Sequence, residues 1–329
     1  MIVNRKVSVA PMMDCTDKHE RYFLRLISKN ILLYTEMIVS EAIDRGDKQR
    51  LLSFNLEEKP VALQLGGSSP KLLSNAARIG EEFGYDEINL NLGCPSKKVQ
   101  KNKFGACLIK EPDLIVDCLN EMQNKTKLPV TVKTRIGYNE VEDYDHLFNF
   151  INQLKLTGVK TFIIHARKAI LEKFTPKQNL NIPPLKYNMV YKLKEDFKDL
   201  EIIINGGITS AEEVKKHLQK VDGAMIGRSV YQSPYLLADI EKEIFNNENV
   251  ESRQEVIEKL VDYLKKELKN GTRINQVMRH TLGLFHGQAG SNLWKRYLSK
   301  NMCVRDADIQ KVNHIMDKVK LNHVTQSLG

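Results

Sequence analysis

Short apolar runs recur along this chain, and segments with apolar residues at three- and four-residue steps lie between them. The runs fall at residues 7–12, 32–37, 61–65, 87–92, 130–134, 161–166, 201–205 and 223–226. Each is mostly a continuous apolar stretch, as expected of parallel strands buried on both faces. Spacings of roughly 20–40 residues suit repeated strand–helix units. Helix starts are legible as well. Ser69-Pro70 and Ser233-Pro234 set a capping serine before a proline at the first helical position, and Thr209-Ser210-Ala211-Glu212 has the pattern of a capping box. Eight such units predict a (β/α)8 TIM barrel, with an open doubly wound sheet as the structural alternative.

The pattern changes after the polar stretch at residues 246–249. Ile257, Leu260, Val261, Leu264 and Leu268 describe one amphipathic helix, and Ile309, Val312, Ile315, Met316 and Val319 another, with no strand pattern between them. The expected α/β organisation is a barrel over residues 1–245, followed by a small C-terminal all-helical domain over residues 250–329.

Composition narrows the class. Hydrophobic residues make up 42% and charged residues 28% of 329, enough for a core and too apolar for disorder. No apolar stretch approaches the roughly 20 residues of a membrane span, and the first residues lack the core of a signal peptide. Five cysteines without paired spacing point to a reducing compartment rather than a disulfide framework. The expectation is a cytoplasmic protein. The net charge is +9, of which residues 250–329 hold +6, and residues 268–305 carry seven basic residues and no acid. Clustered Lys and Arg neutralise phosphates, so a polyanion is the expected partner.

In barrels of this type, chemistry stands at the C-terminal ends of the strands. Those ends read Pro11-Met12-Met13-Asp14, Gln64-Leu65-Gly66-Gly67, Asn89-Leu90-Asn91-Leu92-Gly93-Cys94-Pro95, Lys133-Thr134-Arg135, His165-Ala166-Arg167-Lys168, Asn205-Gly206-Gly207 and Gly227-Arg228. The glycine turns after the last two strands sit where such barrels bind phosphate, and Arg228 could add a bidentate contact. Lys133 on its strand suits either an ion pair or an electron-poor ring. Cys94 precedes a loop bearing Lys97, Lys98, Lys101 and Lys103, and its thiol could be nucleophile, acid or inert. Cys15, Cys107, Cys118 and Cys303 read as packing. None of the eight histidines has metal-ligand spacing, so no metal is expected. No G-x-G-x-x-G fingerprint is present.

These motifs resemble those of the tRNA-dihydrouridine synthases, and the A-type bacterial subfamily in particular. The likeness covers nearly the whole chain. It is carried by Pro11-Met12-Met13-Asp14, Leu33-Tyr34-Thr35-Glu36-Met37, Asn89-Leu90-Asn91-Leu92-Gly93-Cys94-Pro95-Ser96, Phe104-Gly105-Ala106-Cys107-Leu108, His165-Ala166-Arg167-Lys168-Ala169, Ile204-Asn205-Gly206-Gly207-Ile208 and Met225-Ile226-Gly227-Arg228. The resemblance implies an oxidoreductase with FMN as cofactor and NADPH as reductant. It implies that Pro11, Met12, Met13, Gln64, Lys133 and His165 hold the isoalloxazine, and that Asn205, Gly206, Gly207, Gly227 and Arg228 hold its phosphate. Asn91 would touch the target uracil, and Cys94 would donate the proton. Arg167, Lys168 and Lys177 on the rim, with Lys295 and Arg296 in the tail, would meet the tRNA. The implied product is 5,6-dihydrouridine at D-loop position 20 and also 20a, and the implied state is a monomer away from membranes. The sequence departs from this pattern at Cys15, where relatives usually carry Trp, and at Leu180, Asn292 and Lys295, where Arg is expected. Lysine is a point charge without arginine's bidentate fork. Two other readings remain at this stage: a flavin barrel acting on a free pyrimidine, and a non-enzymatic RNA-binding protein on a degenerate barrel; a third, a phosphate-binding isomerase barrel, lacks an obvious Glu base at a strand end other than Glu36.

Overall fold

A computed structural model describes residues 3–302, 310 and 312–316. Cys303, Ile309 and Val319, assigned above, lie outside the described residues. The strands are β1 (Val7–Val9), β2 (Leu33–Tyr34), β3 (Ile38–Val39), β4 (Val61–Gly66), β5 (Glu87–Asn91), β6 (Val130–Arg135), β7 (Thr161–His165), β8 (Glu201–Asn205) and β9 (Gly223–Ile226). All pairs are parallel, in the order β1-β9-β8-β7-β6-β5-β4-β2, with β3 also on β4. A parallel bridge between Ser8 and Leu32 joins the two ends of this path. Val9 N–H donates to the Leu32 carbonyl at 3.0 Å, and Leu32 N–H to that of Val7 at 3.1 Å. The sheet therefore closes into a barrel, and the open-sheet alternative falls.

The second expected strand is divided in two. Between β2 and β3 the Thr35 hydroxyl donates to the Glu36 carbonyl at 2.7 Å and accepts the Gln64 N–H at 3.0 Å. The hydroxyl thus takes a β4 N–H that a backbone carbonyl would otherwise accept, and the regular ladder is interrupted there.

The interior also departs from continuous apolar runs. Successive side chains on a strand point to opposite faces. Ala10, Tyr34, Ala62, Ile163, Ile203 and Met225 pack together inside the barrel. On β5 and β6 the outward residues are Ile88, Leu90, Val130, Val132 and Thr134, while the alternate positions are Glu87, Asn89, Asn91, Thr131, Lys133 and Arg135. Apart from Thr134 these two strands are apolar toward their helices, and they are polar toward the barrel axis.

The chain divides into two compact units. One holds residues 1–14, 31–208 and 212–227; the other holds residues 15–30, 209–211 and 228–329. In the first unit Ser69 caps the helix Pro70–Glu82 with proline at its first position, as expected. In the second, the helix after Ser233-Pro234 begins only at Leu236, because 233–237 form a turn with bonds from Leu236 N–H to the Ser233 carbonyl and from Leu237 N–H to that of Pro234. The amphipathic helix is Arg253–Lys269, closed at its start by a reciprocal Ser252–Glu255 capping box. Its buried face includes Ile257, Leu260, Val261 and Leu264. The helix Lys18–Ile27 belongs to this unit. Its capping residue Asp17 also meets Arg279 at 2.7 Å. Among the described residues no helix is long and apolar enough to cross a membrane.

Candidate active site

The C-terminal strand ends in the first unit bring most of the expected residues to one mouth. The register sets Asn91 beside Lys133, Arg135 beside His165, and His165 beside Asn205. Asn91 ends β5 and governs the turn that follows. Its Oδ1 accepts the N–H of Gly93 at 3.1 Å and of Cys94 at 3.0 Å, an Asx-type turn that fixes the thiol's backbone. Its Nδ2 donates to Gln64 Oε1 at 2.9 Å. The Cys94 carbonyl accepts from Ala106 N–H at 3.0 Å. Gly105 lies against the same carbonyl with φ +71°. A Cβ there would stand 2.8 Å from that oxygen and 2.6 Å from Val99, so only glycine lets the two segments close.

The site's charges are cationic. Lys133 Nζ donates to Asn205 Oδ1 at 3.0 Å, and Asn205 Nδ2 donates to the Met225 carbonyl at 2.7 Å. Burial, helped by the charge of Arg135, pushes the Lys133 ammonium down to about 7. Burial and the charges of Arg135, Lys133 and Arg167 hold His165 well below its usual value, so its imidazole is neutral. Burial raises the Cys94 thiol, and the Ser96 N–H, Arg135 and Lys133 oppose that rise in this order. At neutral pH the thiol keeps its proton.

These residues suit a ligand bearing negative charge. The buried His165 Nδ1 lacks a hydrogen-bond partner among the described residues, and a buried polar atom normally finds one. Gly206 and Gly207 adopt φ +120° and +76°, conformations that side chains resist. A Cβ on Gly207 would come within 2.5 Å of Leu185 and 2.9 Å of the Tyr187 hydroxyl. That hydroxyl donates to the Gly206 carbonyl at 2.7 Å, holding the turn. Met12 packs on the barrel core and Met13 is exposed beside Pro11. A Cβ on Gly227 would meet only Ala10 and Met12, at 3.7 and 3.8 Å, so there is room beside this glycine. Arg228 begins the helix Arg228–Gln232 and is exposed in the second unit.

Comparison with known proteins adds the lineage. The family model described as dihydrouridine synthase matches residues 8–320. The chain belongs to the dihydrouridine synthase family. It is 51% identical to a tRNA-dihydrouridine(20/20a) synthase of Synechocystis over 92% of this chain and 90% of that one. Proteins of the same description from Shewanella oneidensis and Escherichia coli are 48% and 49% identical, over 98% and 95% of this chain and 97% and 91% of theirs. A solved structure of 2-naphthoyl-CoA reductase superposes with a TM-score of 0.55 at 10% identity, over 78% of this chain and 52% of that one, and shares the fold. Making a dihydrouridine adds two hydrogens across a uracil double bond, so membership of the dihydrouridine synthase family makes the chain an oxidoreductase.

Within this family frame, the rim residues separate. The segment after Cys94 is a short helix, Lys97–Lys101, rather than the expected loop; Lys97, Lys98 and Lys101 on it and Lys103 just beyond it are all exposed, as is Lys177 on the helix Pro176–Asn181. Arg167 Nη1 donates to the Pro183 carbonyl. Lys168 is mostly covered and pairs with Glu142 at 3.0 Å, which also meets Lys186 at 3.3 Å. In the second unit the helix Ser291–Asn301 carries Arg296 exposed and Lys295 half-buried, around a buried Trp294 whose indole N–H donates to the Thr281 carbonyl at 2.9 Å.

Arg135 has no role assigned from sequence, yet it braces the candidate site. Its Nε donates to the Gly93 carbonyl at 2.8 Å, and its Nη1 to the Lys168 carbonyl at 3.2 Å and those of Arg167 and Asn179 at 3.4 Å. One buried guanidinium thus ties the Cys94 turn to the loop after β7. The available signal was period two: Arg135 shares the inward face with Lys133.

Proposed function

We propose that this chain is a flavin-dependent tRNA-dihydrouridine synthase that reduces D-loop uridine at positions 20 and 20a, with FMN as cofactor and NADPH as reductant. The names of its relatives support the substrate and the positions. The observation that carries the chemistry is the Cys94 thiol, kept protonated by burial on a turn beside Lys133 and Arg135. A tRNA substrate puts the work in the cytoplasm, and the expected unit is a monomer without a metal.

In this reading Pro11, Met12, Met13, Gln64, Lys133 and His165 hold the isoalloxazine, and Asn205, Gly206, Gly207 and Gly227 hold the phosphate. The chemistry FMN supplies when bound is a hydride for uracil C6. Everything else falls to the chain. A base must leave its stack before an enzyme can act on it. Asn91 spends its oxygen on Gly93 and Cys94 and one N–H on Gln64, leaving one N–H for a uracil carbonyl. Cys94 gives its proton to C5: the S–H bond breaks, the C5–H bond forms, and the sulfur is left negative. Arg135 and Lys133 stabilise that charge until solvent returns a proton. Arg167, Lys168 and Lys177 in the first unit, and Lys295 and Arg296 in the second, are the proposed tRNA contacts.

The test is direct. Purified protein with FMN and NADPH is given unmodified tRNA, and dihydrouridine is measured by mass spectrometry. Absence of product sinks the activity. Cys94→Ala keeps bound flavin and tRNA affinity and loses turnover; unchanged turnover removes Cys94 as the acid.

A further inference from the structure

A chain of side-chain hydrogen bonds runs along the barrel interior from the far end of β5 to the Cys94 turn. At its origin is Glu87, fully buried and held by Arg5, whose Nε lies 2.6 Å from Glu87 Oε2. A carboxylate paired with arginine only accepts hydrogen bonds. Glu87 Oε1 therefore takes the proton of the Thr131 hydroxyl, at 2.6 Å. With that proton spent, Thr131 Oγ1 can only accept from Asn89, and it takes Nδ2 at 2.8 Å. This turns Asn89 Oδ1 toward Gln64 Nε2 at 2.9 Å, and Gln64 Oε1 toward Asn91 Nδ2 at 2.9 Å. Asn91 Oδ1 is left facing the Gly93 and Cys94 N–H groups. Each amide could point either way by shape alone; the charge on Glu87 sets the direction from one end, and the Gly93 and Cys94 N–H donors demand the same direction at the other.

We propose that Glu87, Thr131 and Asn89 are positioning residues for the Cys94 turn, setting the amide direction of Gln64 and Asn91 through this one-way chain. Its effect on turnover rests on the function proposed above; its effect on the turn does not. Low surrounding dielectric makes such a fully satisfied network strong and a broken one costly. If Asn91 reverses, its NH2 faces two backbone N–H donors, and the Asx turn is lost.

The test compares two bonds to the same carboxylate. Thr131→Val keeps the shape and cuts the chain. Tyr34→Phe removes the other bond to Glu87 Oε1, 2.7 Å long, and leaves the chain intact. Amide hydrogen exchange at Gly93 and Cys94 is measured in flavin-free protein, and kcat and KM on tRNA in flavin-loaded protein. Thr131→Val is expected to speed exchange at both amides about tenfold, the size of one lost hydrogen bond, and to lower kcat by a similar factor at unchanged KM. Thr131→Ser restores both, and Tyr34→Phe moves neither. Unchanged exchange in Thr131→Val overturns the proposal, as does equal acceleration in Tyr34→Phe. Should Thr131→Val not fold, Thr131→Ala carries the same expectations. A wild-type protein that makes no dihydrouridine refutes the function while leaving the exchange test intact.

Discussion

The Lys133 ammonium donates to Asn205 Oδ1 at 3.0 Å, and no carboxylate contributes to its charge balance among the described residues. A lysine held by a neutral amide inside a barrel is an unpaid charge in the ligand-free protein. It is placed to favour a ligand that becomes negative.

That arrangement sets a stability signature. The folded-state value of Lys133, about 7, lies below its ordinary 10.5. The penalty is therefore full below pH 7, shrinks as pH rises between those values, and is gone above them. Lys133→Met is expected to raise the melting temperature of ligand-free protein at pH 6 by several degrees, a typical response to about 1–2 kcal/mol. The gain should fade toward pH 10. The same variant should bind FMN more weakly in a fluorescence titration. A gain that grows with pH would contradict this account of Lys133.

Cys94 predicts an alkaline limb. Burial raises the thiol above its ordinary value of 9.0. Proton donation is thus complete at neutral pH and fails only as pH climbs past that raised value. The kcat profile is expected to be flat through neutrality and to fall in alkali. Cys94→Ala should lower kcat by about 10²–10⁴, the usual weight of a general acid, and the limb should vanish with the thiol.

Arg135 sharpens this. Its charge is the larger of the two that stabilise the Cys94 thiolate, ahead of Lys133. Arg135→Met removes that attraction, so the alkaline limb should move to higher pH while kcat falls. Arg135→Lys keeps a charge but loses the fork that reaches Gly93 and the carbonyls after β7. It should keep the limb nearer its native position and still lose stability. A profile that moves to lower pH in Arg135→Met would refute the electrostatic role.

How much of this could be read from sequence follows from what each contact requires. Asn91, Lys133 and His165 lie at the C-terminal ends of strands and Cys94 on the turn after one, and strand order in a barrel brings strand ends together, so their meeting was legible. The polar row Glu87, Asn89, Asn91 is also visible as period two. Its direction was not, because both faces of a barrel strand are buried and only one faces the axis. Arg135 was present in the motif, but its partners are backbone carbonyls, which leave no residue signature. The pairing of Lys168 with Glu142 joins positions far apart in sequence. The helix Lys18–Ile27 lies between two barrel strands in sequence and belongs to the second unit through packing alone.

The basic residues divide by how freely they can meet phosphate. Lys97, Lys98, Lys101 and Lys103 are exposed, whereas Lys168 is already paired and mostly covered. An ion-paired lysine must give up its partner before it neutralises a phosphate, so it releases fewer counterions per contact. Each phosphate neutralised contributes about 0.7–0.9 to the slope of log affinity against log salt. Replacing these four lysines with Gln is therefore expected to flatten that slope by as much as about 3 in tRNA binding, with KM rising and flavin content unchanged. Lys168→Gln should change the slope by less than any one of the four. In the second unit, Arg296→Gln should flatten the slope more than Lys295→Gln, because Arg296 is exposed and Lys295 half-buried. Equal slopes in wild type and the four-lysine variant would show that this segment does not carry the polyanion.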